Sequence, residues 1–128
     1  MKEEDLIAFL QRRMPDLTKT DQFNRTDCYS NEWDLIVEMK SRTEHYNDIL
    51  IEKDKYDALM ASDKKNKRYI VSTPKGIYSF DIEKVKFVND EWYLKLLPET
   101  TFFKEKPNYI YKWANTMDIK YAKVLHKF

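Results

Sequence analysis

Residues 33–42 read WDLIVEMKSR, and the run alternates in steps of two. Trp33, Leu35, Val37 and Met39 are apolar. Asp34, Glu38 and Lys40 are charged, and Ile36 alone breaks the second set. Side chains two apart share one face of an extended chain, so this run is the strongest strand in the protein. A chain that carries it must build a sheet with one face made for burial. The other face holds two acids and a lysine that need a use.

The rest of the chain supplies partners for that strand. Residues 3–13 carry an apolar stripe of Leu6, Ile7, Phe9 and Leu10. Glu3, Glu4 and Asp5 stand in the first turn, where acids suit the helix dipole, and Pro15 ends the helix. Residues 22–29 are a weaker strand, and Ser30, Asn31 and Glu32 give the turn that makes a hairpin with residues 33–40. ILIEKDKYDALMA (49–61) starts extended and turns helical. DKKNKR (63–68) reads as a basic loop, and RYIVSTPKGIYSFDI (68–82) as a hairpin turning at Pro74, Lys75 and Gly76. KFVNDEWYLKLL (86–97) reads as a further hairpin with Asn89 and Asp90 at its tip, and residues 98–107 as a connector. The last segment is mixed and partly helical. This order of helix, hairpin, helix and hairpins predicts one α/β domain over residues 1–128, built around one mixed sheet.

Composition narrows the function classes. A hydrophobic share of 42% rules out a disordered chain. The net charge of +1 means that any nucleic-acid face depends on local clusters of Lys and Arg. Cys28 is the single cysteine, so neither an internal disulfide nor a polythiolate zinc site forms within the chain, which suits a reducing compartment. Cys28 has no evident partner base and reads as structural. His45 and His126 lie far apart, with no third ligand type spaced to join them. The lone glycine, Gly76, cannot make a phosphate-binding glycine loop, which excludes the nucleotide-dependent enzymes built on one. The acidic first residues of MKEEDLIAFLQRRM match neither a secretory signal nor a membrane span, and a cytoplasmic setting is expected.

Glu38 and Lys40 point the same way, roughly 6.6 Å apart along the strand. Carboxylates are the natural ligands of a hard divalent cation, and a lysine beside one stabilises phosphate charge or orients a water. Asp63–Lys65 and Asp118–Lys120 repeat the acid–x–Lys spacing, but only Glu38–Lys40 closes an apolar, β-branched strand.

In that context the run VEMK resembles the (D/E)xK element of the PD-(D/E)xK nuclease superfamily, the restriction-endonuclease-like fold. The wider run IVEMKSRTEHYNDILIEKDKYDAL looks like its small phage- or prophage-type members, and the likeness covers residues 3–82. It implies an αβββαβ core: a central mixed sheet of about four or more strands flanked by helices. It also implies Mg2+- or Mn2+-dependent hydrolysis of DNA phosphodiesters, by an endonuclease or exonuclease. Glu38 would bind metal and Lys40 would be the catalytic lysine. For the upstream acid, Asp27 ranks first, Asp34 second and Asp21 third. Four residues of straight strand span about 13 Å, too far for Asp34 and Glu38 to share one ion directly. Pro15–Asp16, the literal Pro-Asp pair, lies too early in the chain. Some members of the superfamily add a glutamate from the first helix, for which Glu3 or Glu4 stands in place, though capping is the simpler use.

Arg42, Lys53 and Lys55 follow the motif, and Lys64, Lys65, Lys67 and Arg68 form the densest basic run; these are candidate phosphate contacts. Tyr46 and Tyr56 suit either base stacking or packing. Two copies would bring two sites to two strands, so a homodimer is expected, with Trp92, Phe102, Phe103 and Trp113 available for its interface. Two alternatives stay open. One is a catalytically inactive module of the same fold that binds DNA or a protein. The other is an unrelated α/β interaction protein whose Asp34, Glu38 and Lys40 are simply solvated.

Overall fold

The structure is a computed structural model that describes residues 1–21, 26–99 and 108–128. Helix α1 (Glu3–Arg13) leads into a two-residue strand β1 (Thr18–Lys19). Strands β2 (Cys28–Ser30) and β3 (Leu35–Ser41) form the expected antiparallel hairpin. Strand β4 (Asp48–Glu52) runs straight into helix α2 (Lys53–Ala61). Strands β5 (Asn66–Thr73) and β6 (Gly76–Asp81) pair across the Pro74–Lys75 turn. Strands β7 (Tyr93–Pro98) and β8 (Tyr109–Asp118), a short 3-10 helix (Ile119–Tyr121) and β9 (Lys123–Lys127) complete the described chain.

The central sheet has the order β1-β2-β3-β5-β6-β9. It is mixed, because β3 and β5 run parallel while their neighbours are antiparallel. The crossover between the parallel pair contains β4 and α2, as a parallel connection requires.

Alternate residues of β3 serve two cores. Leu35, Val37 and Met39 pack with Leu6, Ile7 and Leu10 of α1. Ile36 joins Leu59 of α2, Ile49 and Ile51 of β4, Met117 of β8, and Tyr69 and Val71 of β5. The sheet is therefore covered on both faces, and Glu38 is only 2% exposed. The reading in which the charged face of residues 34–40 is solvated does not hold for Glu38.

Three expectations need correction. A second sheet exists, β4-β8-β7, where one sheet was expected. Residues 86–97 do not fold back on themselves: β7 pairs with β8, and Phe87 bridges Met117. The buried Asn115 holds this segment, accepting from the Asn89 N–H at 3.3 Å and donating to the Asn89 carbonyl at 3.0 Å. These hydrogen bonds take the polar groups that a tip at Asn89–Asp90 would have left to solvent. The last segment is mostly strand, with only the 3-10 turn helical. The weak strand expected over 22–29 and the connector 98–107 fall partly outside the described residues. Among the described residues no helix is long and apolar enough to cross a membrane.

Candidate active site

The β2–β3 register sets Cys28 opposite Val37, and Asp27 is the residue before Cys28. The Asp27 N–H donates to the Val37 carbonyl at 3.0 Å, which carries the pairing one step past β2. The Met39 N–H then donates to Asp27 Oδ2 at 2.7 Å, so the carboxylate lies against the strand on either side of Glu38. The hairpin thus brings together two acids eleven positions apart in sequence.

Glu38 meets α2 from the other side. Its Oε1 is 3.5 Å from Lys55 Nζ, while its buried Oε2 has no hydrogen-bond partner among the described residues. Burial, and then the negative charge of Asp27, push the Glu38 carboxyl up to about 8, against the pull of Lys55 and Lys40. Burial works against the charge of Lys55, but Glu38, Asp27 and Asp54 outweigh it and raise its pKa. Near neutrality Glu38 is therefore largely protonated and Lys55 charged.

Glu3, at the exposed start of α1, belongs to the same electrostatic cluster. Desolvation and Asp27 raise its carboxyl, and Lys40, Lys19 and Lys55 oppose the rise. Capping of α1 falls instead to Asp5, whose Oδ2 accepts from the Lys2 N–H at 3.2 Å. Lys40 is half-buried two residues beyond Glu38.

Asp34 stands elsewhere. It closes the turn before β3 with φ 48°, and its carbonyl accepts from the Asn66 N–H at 2.9 Å. Asp21 borders a groove of about 400 Å³ between the β1–β2 edge and α2, with Lys19, Thr26, Tyr29 and Lys64. Asp16 serves the β2–β3 turn. Its carboxylate accepts from the Ser30 hydroxyl at 2.6 Å and the Glu32 N–H at 2.9 Å, and these bonds hold its pKa down.

The basic run lies at the Asp34 end of β3, because Asn66, Lys67 and Arg68 pair with Leu35, Ile36 and Val37. Lys67 ties off α2 by donating to the carbonyls of Met60 and Ser62. Lys64 donates to Asn31 Oδ1 at 2.6 Å, Arg68 is 3.9 Å from Asp81, and Lys65 is exposed. Lys53 pairs with Asp57 at 2.8 Å. The Arg42 N–H donates to the Ser72 carbonyl at 2.8 Å, and its charge acts on the buried Tyr69 phenol. Tyr46 is exposed, whereas Tyr56 packs on Phe87 and Trp92. Burial, then Asp27, pushes the Cys28 thiol up to about 12, which makes it inert core. His45 Nδ1 is 2.8 Å from the Thr73 hydroxyl, and His126 packs on Phe9 and Phe128.

Sequence reasoning placed Lys55 among phosphate contacts and missed its contact with Glu38; its spacing within α2 gives no hint of that partner. Lys19 was missed because a two-residue strand leaves no periodic signal.

Among the described residues no three His, Cys, Asp or Glu side chains converge into a metal cage. The Asp27–Glu38 pair still suits one class of cation. Magnesium is commonly held by one or two carboxylates, with waters and substrate phosphate filling the other positions. The buried, unpartnered Glu38 Oε2 is a hard oxygen of the kind such an ion takes.

No family model matches the chain, and no curated protein does so at a significant level. Among solved structures, the chain is similar to Hjc of Archaeoglobus fulgidus, a Holliday junction resolvase from an archaeal hyperthermophile. The TM-score is 0.60 at 13% identity, over 96% of this chain and 88% of that one. The chain has a restriction-endonuclease-like fold like that structure's, with a central mixed sheet flanked by α1 and α2.

Proposed function

We propose that the chain is a metal-dependent nuclease that hydrolyses DNA phosphodiester bonds, with Mg2+ or Mn2+ as its cofactor and a homodimer as its working form. The observation that carries this reading is Glu38: a carboxyl sealed between sheet and helix, one oxygen unpartnered, beside Asp27 and two lysines. A fold does not need such a group, since burying a carboxyl with one oxygen left unpartnered costs stability.

Asp27 and Glu38 are the residues that would hold the cation, with Glu3 near enough to adjust the local charge. When bound there, a divalent cation supplies charge neutralisation at the scissile phosphate and acidifies water. The chain's own part is to present the ligands and steer the phosphate. Glu38 must release its proton before it can act as a ligand, and the ammonium groups of Lys40 and Lys55 favour that release. Lys40, on the same strand face, is set to stabilise the phosphate charge or orient the attacking water. Lys55 is held by Glu38 and can turn to the phosphate once the carboxylate is engaged.

Two arms test the reading. Calorimetric titration with Mg2+ and Mn2+ should show binding to wild type that is lost in Glu38→Gln. Cleavage of plasmid and four-way-junction DNA should fall about 100-fold or more in Glu38→Gln and Lys40→Ala, with folding intact. Cleavage that survives in Glu38→Gln would sink the catalytic assignment. The lack of a three-ligand cage among the described residues favours one alternative, an inactive module of this fold that binds DNA. DNA binding by wild type with no cation binding, even with DNA present, is the result that reading expects.

A further inference from the structure

The hairpin arm formed by β7 and β8 carries a face that nothing in the described chain covers. Its register sets Leu94 opposite Trp113, Leu96 opposite Tyr111 and Pro98 opposite Tyr109. By the two-residue period these side chains share one side. Leu94, Leu96, Tyr109, Tyr111 and Trp113 are each more than half exposed, Tyr111 most at 68%. Three aromatic side chains of roughly 150–250 Å² each and two leucines, all more than half exposed, leave on the order of 500 Å² of surface in one patch. That is at the upper end of what a monomer usually shows. Trp92, by contrast, packs on Tyr56 and Phe87, and Phe102 and Phe103 lie outside the described residues.

We infer that this face of the β7–β8 arm is where a second copy of the chain docks. Charge selects the occupant. Among the described residues the face bears no Lys or Arg, because Lys95 and Lys112 stand opposite each other on the other side, and Lys112 is engaged by Glu52 at 2.7 Å. A single-stranded nucleic-acid platform needs cations beside its aromatics, and the described strand residues of this face supply none. An uncharged apolar face is self-complementary, so a twofold contact sets no like charges against each other. Two such patches remove on the order of 1,000 Å², the lower bound for a specific interface. Tyr and Trp are the residues that anchor such interfaces.

The inference extends the homodimer part of the proposed function and stands apart from the catalytic part. A dimer without cleavage, or cleavage by a monomer, separates the two. The test is sedimentation equilibrium of the full chain across the micromolar range. Wild type should approach twice 15.6 kDa. Leu96→Glu and Tyr111→Glu should each weaken the dimer about tenfold or more, and Tyr111→Phe should keep it. These side chains face solvent in the single chain, so the dissociated variants should still melt cooperatively, with a midpoint below that of wild type only by what dimerisation contributes. If a glutamate disturbs folding, Leu94→Ser and Leu96→Ser provide the same test without adding charge. A wild type that stays monomeric, or a dimer indifferent to all these changes, overturns the inference. So does a monomer that binds a single-stranded oligonucleotide with fluorescence quenching lost in Trp113→Phe, which would make the face a base-stacking platform.

Discussion

A carboxyl that keeps its proton at neutral pH leaves a mark on stability. Glu38 holds its proton up to about 8 in the folded chain, whereas an unfolded glutamate releases it near about 4.3. The native state therefore binds a proton that the unfolded chain has lost. The contribution of Glu38 to stability is fully present below about 4.3 and drains away as pH rises towards about 8. With a chelator present, the thermal midpoint of wild type should fall between pH 5 and pH 8 by on the order of 5–10 °C more than that of Glu38→Gln. Melting curves of the two proteins over that range check this. Parallel curves would mean that the carboxyl is not held as the geometry requires. The same substitution is expected to destroy cleavage, so site and stability pull in opposite directions at one residue.

Elements show where local chemistry suffices. Helix α1 and the β5–β6 hairpin were legible because their signals are local: an apolar stripe closed by Pro15, and two β-rich runs around Pro74 and Lys75. The β2–β3 turn holds a second kind of information. Asp34 has φ 48°, a conformation that glycine adopts without strain. Asp34→Gly should change stability by between 0 and about 1 kcal/mol in the favourable direction, the backbone relief being partly offset by the freer unfolded chain. Cleavage should be kept, since Asp34 stands at the far end of β3 from Lys40. Denaturant titration and a cleavage assay on this variant read both effects, and lost cleavage would move the second-ranked acid into the site. The β7–β8 pairing was not legible, because it depends on Asn115 reaching back to Asn89 across 26 positions.

For the whole molecule, the last strand matters more than its composition suggests. Strand β9 closes the central sheet against β6 and also meets α1, where Arg13 donates to the Leu125 carbonyl at 3.1 Å. Gly76 permits that closure. Sequence pointed to it as a turn residue, but its φ is not positive, and a Cβ there would stand 2.4 Å from the His126 carbonyl oxygen. Gly76→Ala should cost about 1–3 kcal/mol in chemical denaturation, through displacement of β9. It should leave cleavage per folded molecule unchanged, because Glu38 lies two strands away in the sheet order. An alanine variant as stable as wild type would show that β9 adjusts freely.

Sequence by itself determined the strand that carries Glu38 and Lys40, the helix that covers one of its faces, and the sheet as the central element. Those features follow from periodicities of two and 3.6 residues, which are properties of short stretches. The tertiary structure decided which acid stands beside Glu38, that Lys55 reaches it from α2, and that Glu3 joins the cluster while Asp5 caps the helix. It also decided that β7 pairs with β8 and leaves an apolar face that no described residue covers. Each of these depends on contacts between segments far apart in the chain, where burial and charge act through space and not along the sequence.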